Sequence, residues 1–231
     1  MLYLALSCLQ GREILPAAQE LIELEIDGLQ LTPGNFPSDG FKECLAEQKI
    51  MARTHHGFNW QGIRQRVWNA ELDCLVKADS VHPPHIKSNQ NQAETERIWQ
   101  RKAEQGNYQN ILLETMYSGY FLGSDRQILW AMEIGLNLAV DVSHIYIQIC
   151  QGTLNLSTWQ KLQEYSNIGE FHLSANNGNG DIHQPLIEST FGLDWVRDRS
   201  QSNPEIPIIL ECYMHSLTFT QRQQQVKFLK E

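Results

Sequence analysis

The chain repeats one pattern eight times: a short apolar run, bounded by Gly, Pro, Asn or polar clusters, then a longer polar or amphipathic stretch. The runs cover residues 2–9, 28–31, 50–54, 75–81, 111–113, 138–142, 168–173 and 206–210. Runs this short, without strict alternation, suit strands buried on both faces. The stretches 14–24, 93–103, 126–134, 154–165 and 221–230 carry apolar residues at near-helical spacing. Asp125 is placed to cap one of these helices and Ser157 a turn within another. Strand then helix, repeated, requires a parallel sheet with helical crossovers. Eight units in 231 residues predict a compact α/β fold, a (β/α)8 TIM barrel, since such barrels run from ~200 residues upward. An open doubly wound sheet is the alternative, but no G-x-G-x-x-G follows the first run, so nothing supports dinucleotide binding. No linker divides the chain, and residues 1–231 read as a single domain. The strongest loop signal is 176–180, and 200–204 is another.

Composition narrows the function. The 42% apolar and 19% charged content is globular. With 18 basic against 27 acidic side chains the net charge is -9, which argues against a nucleic-acid partner. Five widely spaced cysteines (Cys8, Cys44, Cys74, Cys150 and Cys212) with no CxxC pair read as a reduced, cytoplasmic protein without a disulfide framework or zinc ribbon. No apolar run approaches the ~18 residues of a membrane span. The run 2–6 lacks the basic start and cleavage site of a signal peptide and reads as a first strand.

The eight histidines are His55, His56, His82, His85, His144, His172, His183 and His215. All fall at, or a few residues beyond, the C-terminal end of a predicted strand, and none in a predicted crossover helix. In a barrel those ends converge on one rim, where active sites form. Carboxylates join them: Glu114 follows Leu113, Asp141 follows Val140, His172 follows Phe171 and Glu211 follows Leu210. Four successive strands thus end in Glu, Asp, His and Glu. Acids and an imidazole converging there would repel or desolvate one another unless a cation held them. Oxygen and imidazole donors without cysteine suit zinc, manganese, magnesium, cobalt or iron.

The pieces Thr54-His55-His56-Gly57-Phe58, Val81-His82-Pro83-Pro84, Leu113-Glu114-Thr115, Val140-Asp141-Val142-Ser143-His144, Phe171-His172-Leu173, Gly180-Asp181-Ile182-His183-Gln184-Pro185-Leu186 and Leu210-Glu211-Cys212 occur in an order that resembles the xylose isomerase-like TIM-barrel superfamily. That superfamily includes sugar isomerases and epimerases and endonuclease IV. The resemblance implies that Glu114, Asp141, His172 and Glu211 hold a principal metal. Glu114 and Glu211 would face each other across a substrate and move a proton from one side of a sugar carbon and back, with His144 binding a substrate oxygen. The endonuclease IV-like arrangement implies up to three ions, with His55, His82 and Glu114 at one further site and His144, Asp181 and His183 at another.

Two departures bear on the reaction. The chain has little room for the long loops with which a repair enzyme grips duplex DNA. The family's sugar epimerases often carry an Arg after the seventh strand, where this chain has Ser174-Ala175-Asn176-Asn177. The leading expectation is a metal-dependent isomerase or epimerase of a small sugar-like or polyol substrate, with one to three divalent ions, no membrane and scope for a homo-oligomer. The alternatives are a multinuclear zinc phosphodiesterase of the AP endonuclease type, an oxidative or lyase enzyme on a peptide or natural product, and a non-catalytic barrel. Among other residues, His56, His85 and His215 read as supporting or loop residues, and His56 could exchange roles with His55. Phe58, Trp60, Tyr117 and Tyr120 line a pocket or pack the rim. Lys77 and Asp79 read as a structural pair in the fourth strand. Cys212 faces away from Glu211, and residues 221–225 form a solvated helix face.

Overall fold

The computed structural model describes residues 1–9, 12–32, 35, 37–56, 58, 78–86 and 92–230. Its strands are β1 Leu2–Ala5, β2 Gly28–Leu31, β3 Met51–Thr54, β4 Ser80–Val81, β5 Leu112–Glu114, β6 Leu138–Asp141, β7 Ile168–Leu173 and β8 Ile208–Leu210. The helices among the described residues are α1 Ile14–Ile22, α2 Asp39–Glu47, α3 Gln92–Glu104, α4 Asp125–Glu133, α5 Val142–Cys150, α6 Leu156–Gln163, α7 Leu193–Ser202 and α8 Phe219–Lys230.

All eight strands lie parallel, in the order β3-β2-β1-β8-β7-β6-β5-β4. The two ends of that order meet. His55 and Ser80 form a parallel bridge. The His56 amide donates to the Ser80 carbonyl at 3.0 Å, and the Asp79 amide to the Thr54 carbonyl at 2.9 Å. The sheet therefore closes on itself through a short seam, giving the expected (β/α)8 barrel. Closure brings every C-terminal strand end to one rim. No helix among the described residues is long and apolar enough to cross a membrane.

Apolar packing holds the outer layer. Trp99 on α3 stacks on Phe121 at 4.8 Å and on Tyr108 at 5.6 Å. Trp195 on α7 meets Phe171 edge-on at 5.0 Å and Trp159 on α6 at 4.8 Å. Gly28 on β2 is required by close approach: a Cβ there would meet the Tyr3 ring and lie 2.7 Å from the Met51 carbonyl oxygen. The inside of the barrel is different. Gln30, Ser80, Glu170 and His172 are all fully buried there, and each needs a polar partner.

Several local expectations change. The run 2–9 is strand only to Ala5 and then turns into a 3-10 helix over Leu6–Leu9. The run 138–142 ends its strand at Asp141, and Val142 already belongs to α5. His144 therefore does lie in a helix, though in its first turn at the rim. Ser124, and not Asp125, occupies the N-cap of α4, and Asn155, and not Ser157, that of α6. The segment 200–204 is helical through Ser202. Asp79 precedes β4 and accepts from the Thr54 amide at 2.6 Å, tying β3 to β4. Its expected partner Lys77 lies outside the described residues, as do Gly57, Trp60, Cys74 and positions 75–77 of the fourth run.

Candidate metal centre

The strand ends position the acids. Glu114 is the last residue of β5 and Asp141 the last of β6. His172 sits beside Asp141 in the β6–β7 register. Glu211 follows β8, its amide bonded to the Leu173 carbonyl at 3.0 Å. Asp141 has two tasks. Its Oδ1 caps α5, accepting from the His144 amide at 2.9 Å and the Ser143 hydroxyl at 2.7 Å. That cap turns the chain into a helix at once and sets the His144 ring over the rim. Its Oδ2 stays 3.5 Å from His144 Nδ1.

The predicted site residues gather into three donor groups. In the first, Glu114 Oε2 lies 3.3 Å from both His55 Nε2 and His82 Nε2, and these two nitrogens face each other at 3.0 Å. In the second, His172 Nδ1 lies 3.2 Å from Glu211 Oε1, and ligand atoms of Asp141, His172 and Glu211 fall within 4.8 Å of one another. Glu114 Oε2, at 3.6 Å from the same His172 nitrogen, joins the first group to the second. In the third, Asp181 Oδ2 lies 3.3 Å from His144 Nε2 and 3.1 Å from His183 Nε2. All nine residues expected at the site are thus brought to one rim. Glu114, Asp141 and the Nδ1 of His144 also converge, but that nitrogen lies 2.9 Å from the Thr115 carbonyl. A carbonyl only accepts, so Nδ1 carries the proton and Nε2 is the free donor.

The loop carrying Asp181 and His183 is pinned from both sides. Asn176 donates to the Ser143 carbonyl at 2.8 Å, and Ala175 and Gln184 exchange backbone hydrogen bonds. His183 adopts a left-handed φ of 44°, which a non-glycine residue keeps only where its surroundings enforce it. Its carbonyl is held by the Tyr213 amide at 2.8 Å.

The donor chemistry fits a cation. Among the described residues, Glu114 Oε2, His172 Nδ1, His144 Nε2 and Asp181 Oδ1 are buried atoms that find no hydrogen-bond partner. The neighbours of the first three, at 3.2–3.6 Å, are other donor atoms approached without hydrogen-bond geometry. Orphaned polar atoms that point at one another are costly unless a shared ion satisfies them. The charge balance agrees. Burial works to raise the Glu114 carboxyl, but His82, His172 and His144 outweigh it and hold the group ionised, well below the ordinary value. Burial opposes charge on His144 and His172 too, but the surrounding carboxylates push both well above the ordinary imidazole value. His183 rises to about 9 because Asp181 and Glu211 outweigh its burial. His55 goes the other way, since burial dominates, and remains neutral. The rim draws in positive charge.

One carboxylate had no place in the sequence argument. Glu170, two residues before His172 on the same face of β7, accepts at Oε1 from His172 Nε2 and from the Ser80 hydroxyl, both at 2.6 Å. Its Oε2 accepts from Arg53 at 2.6 Å. The signal that could have revealed it is Glu-x-His within a buried strand, where a period of two puts both side chains inside.

Beside the rim lies a cavity of about 600 Å³, lined by Ser143, Tyr146, Ser174, Asn176, Gln184 and Thr190 among others. Among the described residues, none that lines it is charged. The buried Ser174 hydroxyl, two residues beyond His172, finds no partner among the described residues. Tyr117 crosses the His144 ring edge-on at 4.9 Å and Tyr120 the His85 ring at 4.7 Å, both at the rim, while Phe58 is core. His56 stacks on His82 at 4.3 Å and leaves the Glu114 contact to His55. His215 is exposed. Cys212 is buried against Gln225, and burial pushes its thiol up to about 12.

The chain is an eight-stranded parallel barrel with nine imidazole and carboxylate side chains gathered at its C-terminal rim. The fold is that of the xylose isomerase-like TIM barrels. A D-tagatose 3-epimerase-like protein matches with a TM-score of 0.65 at 15% identity, covering 99% of this chain and 95% of its own. A protein assigned as a xylose isomerase from Rhodospirillum rubrum matches at 0.67 and 14%, covering 99% and 98%. A xylose isomerase domain-containing protein from Salmonella typhimurium LT2 matches at 0.59 and 13%, covering 100% and 97%. No protein-family model and no curated protein sequence matches the chain.

Proposed function

We propose that the chain is a divalent-metal-dependent isomerase or epimerase of a small, uncharged polyhydroxy substrate. The observation that carries this reading is the placement of Glu114 and Glu211 on the same His172 nitrogen, at 3.6 and 3.2 Å. Two carboxylates so placed can serve one ion and still present oxygens to the two faces of a substrate carbon. Asp141, His172, Glu114 and Glu211 would hold the principal ion, and the remaining donors a second or third. A divalent ion there supplies polarisation of a substrate carbonyl and hydroxyl, which acidifies the intervening C–H. Glu211, with its side chain 10% exposed against 1% for Glu114, is the more accessible group to take the proton. Glu114, ionised in the free protein, would take the substrate's hydroxyl proton and deliver it to the other face of the carbon, while Glu211 passes its proton to the oxygen left behind, so that both carboxylates end as they began. The buried surroundings keep bulk water from quenching the carbanion. His144 directs Nε2 toward a substrate oxygen.

The cavity beside the rim, lined by hydroxyl and amide side chains with Tyr146 and Phe191, matches a sugar or polyol in its chemistry, though it borders the donor residues through Ser143 and Ser174 and none of the nine lines it. The structural neighbours, an epimerase-like protein and two xylose isomerase-type proteins, are in keeping with it. A small-molecule substrate also accords with the net charge of -9.

A second reading has its own observation. The grouping of all nine donors into three sets is what a multinuclear phosphodiesterase uses to activate water and hold a phosphoryl group. The test treats both. Protein loaded with zinc, manganese or cobalt is incubated in deuterated water with neutral ketoses and aldoses, and separately with bis(p-nitrophenyl) phosphate. Deuterium entering the carbon beside a sugar carbonyl supports the isomerase. Phosphodiester hydrolysis with no exchange into any sugar replaces it with the second reading.

A further inference from the structure

We propose that Glu170 is a positioning residue shared by two of the donor groups, and that it fixes which nitrogen of His55 and of His172 is free to bind a metal. The inference rests on the metal reading above and extends it to a residue outside the ligand set.

Glu170 Oε1 takes hydrogen bonds from His172 Nε2 and Ser80 Oγ, each at 2.6 Å. A serine hydroxyl has one proton, and here it goes to the carboxylate. The Ser80 oxygen, 3.0 Å from His55 Nδ1, must therefore accept from that nitrogen. The proton of His55 is thus on Nδ1, leaving Nε2 bare toward Glu114 and His82. His172 donates to Glu170 from Nε2, so when an ion displaces the second proton of that ring it is Nδ1 that is left bare toward Glu114 and Glu211. The two rings belong to different donor groups, yet one fully buried carboxylate oxygen sets both. Such outer partners orient an imidazole and raise its basicity.

Arg53 makes the device directional. Its guanidinium holds Glu170 Oε2 with Nε and a terminal nitrogen, each at 2.6 Å. In Glu170→Gln the amide N–H2 cannot face that guanidinium, because donor would meet donor. The amide oxygen stays on Arg53 and the N–H2 turns to His172 and Ser80. His172 Nε2 must then accept, which moves its proton to Nδ1. Ser80 must accept as well, and its hydroxyl proton turns to His55 Nδ1, which moves that ring's proton to Nε2. One substitution thus places a proton on the metal-facing nitrogen of both rings. Ser80→Ala releases His55 alone, since His172 keeps its direct bond to Glu170.

The experiment is a zinc titration against a chromophoric chelator, with metal counting and ring-nitrogen NMR of the zinc-loaded protein. Wild type, Glu170→Gln and Ser80→Ala are compared, after circular dichroism and melting have shown which variants fold. Glu170→Gln should lose roughly 10–100-fold in zinc affinity, with His55 and His172 both perturbed in the NMR spectrum. Ser80→Ala should lose a similar factor at the His55 group only, with His172 still ligated through Nδ1. If Glu170→Gln does not fold, Ser80→Ala decides alone. A Ser80→Ala protein that binds zinc like wild type, or that weakens at His172 as much as at His55, overturns the proposal. Wild type that binds zinc while the variants fail to discriminate overturns this inference and leaves the metal reading standing. Wild type that binds none overturns both.

Discussion

Arg53→Met tests whether the buried carboxylate under the candidate metal centre is held as an ion. The methionine keeps the apolar stem but removes the cation from Glu170, whose side chain is 0% exposed, while that of Arg53 is 19% exposed. Removing one partner of a buried pair costs about 3–5 kcal/mol, because the other charge is left uncompensated. The lower end applies here, since Arg53 is partly solvated and Ser80 and His172 still bond Glu170. With an unfolding entropy near 2.1 cal/mol/K per residue, a loss of about 3 kcal/mol lowers the Tm by roughly 6 °C. The pH dependence gives the sign. Burial tends to raise Glu170, but His172, Arg53 and Ser80 together lower it below the ordinary glutamate value. A depressed acid stabilises the fold above its unfolded pKa and loses that contribution as pH falls through the folded one. In Arg53→Met the carboxyl protonates more readily, so the deficit should be full at about pH 7.5 and should shrink toward about pH 4.5. The assay is urea unfolding of chelator-treated protein at several pH values, so that metal linkage does not enter. Arg53→Met combined with Glu170→Gln should recover most of the loss. A deficit below ~1 kcal/mol, or one that does not change with pH, would refute the reasoning.

Other changes have equally definite outcomes. Glu211→Gln keeps an oxygen donor but not a base, so turnover per bound metal should fall by roughly 10²–10⁴, whereas Asp141→Asn should lose activity only in step with metal content. Gly28→Ala should cost about 1–3 kcal/mol in urea unfolding, because the added carbon meets the Tyr3 ring and the Met51 carbonyl. Burial pushes the Cys8 thiol well above its ordinary 9.0 and Cys212 up to about 12. A raised thiol contributes stability that is complete below the unfolded value and disappears as pH rises through the folded one, so wild type should weaken progressively across that window and Cys212→Ala less steeply. At about pH 8 iodoacetamide should modify the exposed Cys150 and leave both buried thiols untouched until the chain unfolds.

The barrel was legible because strands buried on both faces have to be apolar almost throughout, and helices packed on one side do not. The rim was legible for a related reason: Glu114, Asp141, His172 and Glu211 each break an apolar run near its C-terminal end, in register around one ring. Other features were hidden by physics that composition does not display. Helices α2 and α7 bury only Phe41 and Leu45, and Leu193 and Val196, too few to mark a helical period. The boundary at Asp141 was hidden because Val142 suits a strand as well as a helix, and only the capping bond to the His144 amide decides it. Glu170 is one polar residue inside the run 168–173, and nothing local beyond the Glu-x-His spacing marks it. Its partners Ser80 and Arg53 come from β4 and β3, and only closure of the barrel brings them to it.

The central claim is that the nine rim residues form a metal centre. It is tested most directly by the metal content of protein purified without chelators, wild type beside Glu114→Ala. Glu114 is the right residue to remove because it touches both the His55–His82 group and the His172 group. The account predicts at least one divalent ion per wild-type chain and a substantial loss from both groups in the variant. Wild type free of metal, whose Tm does not rise with added zinc, manganese, cobalt or iron, would contradict it.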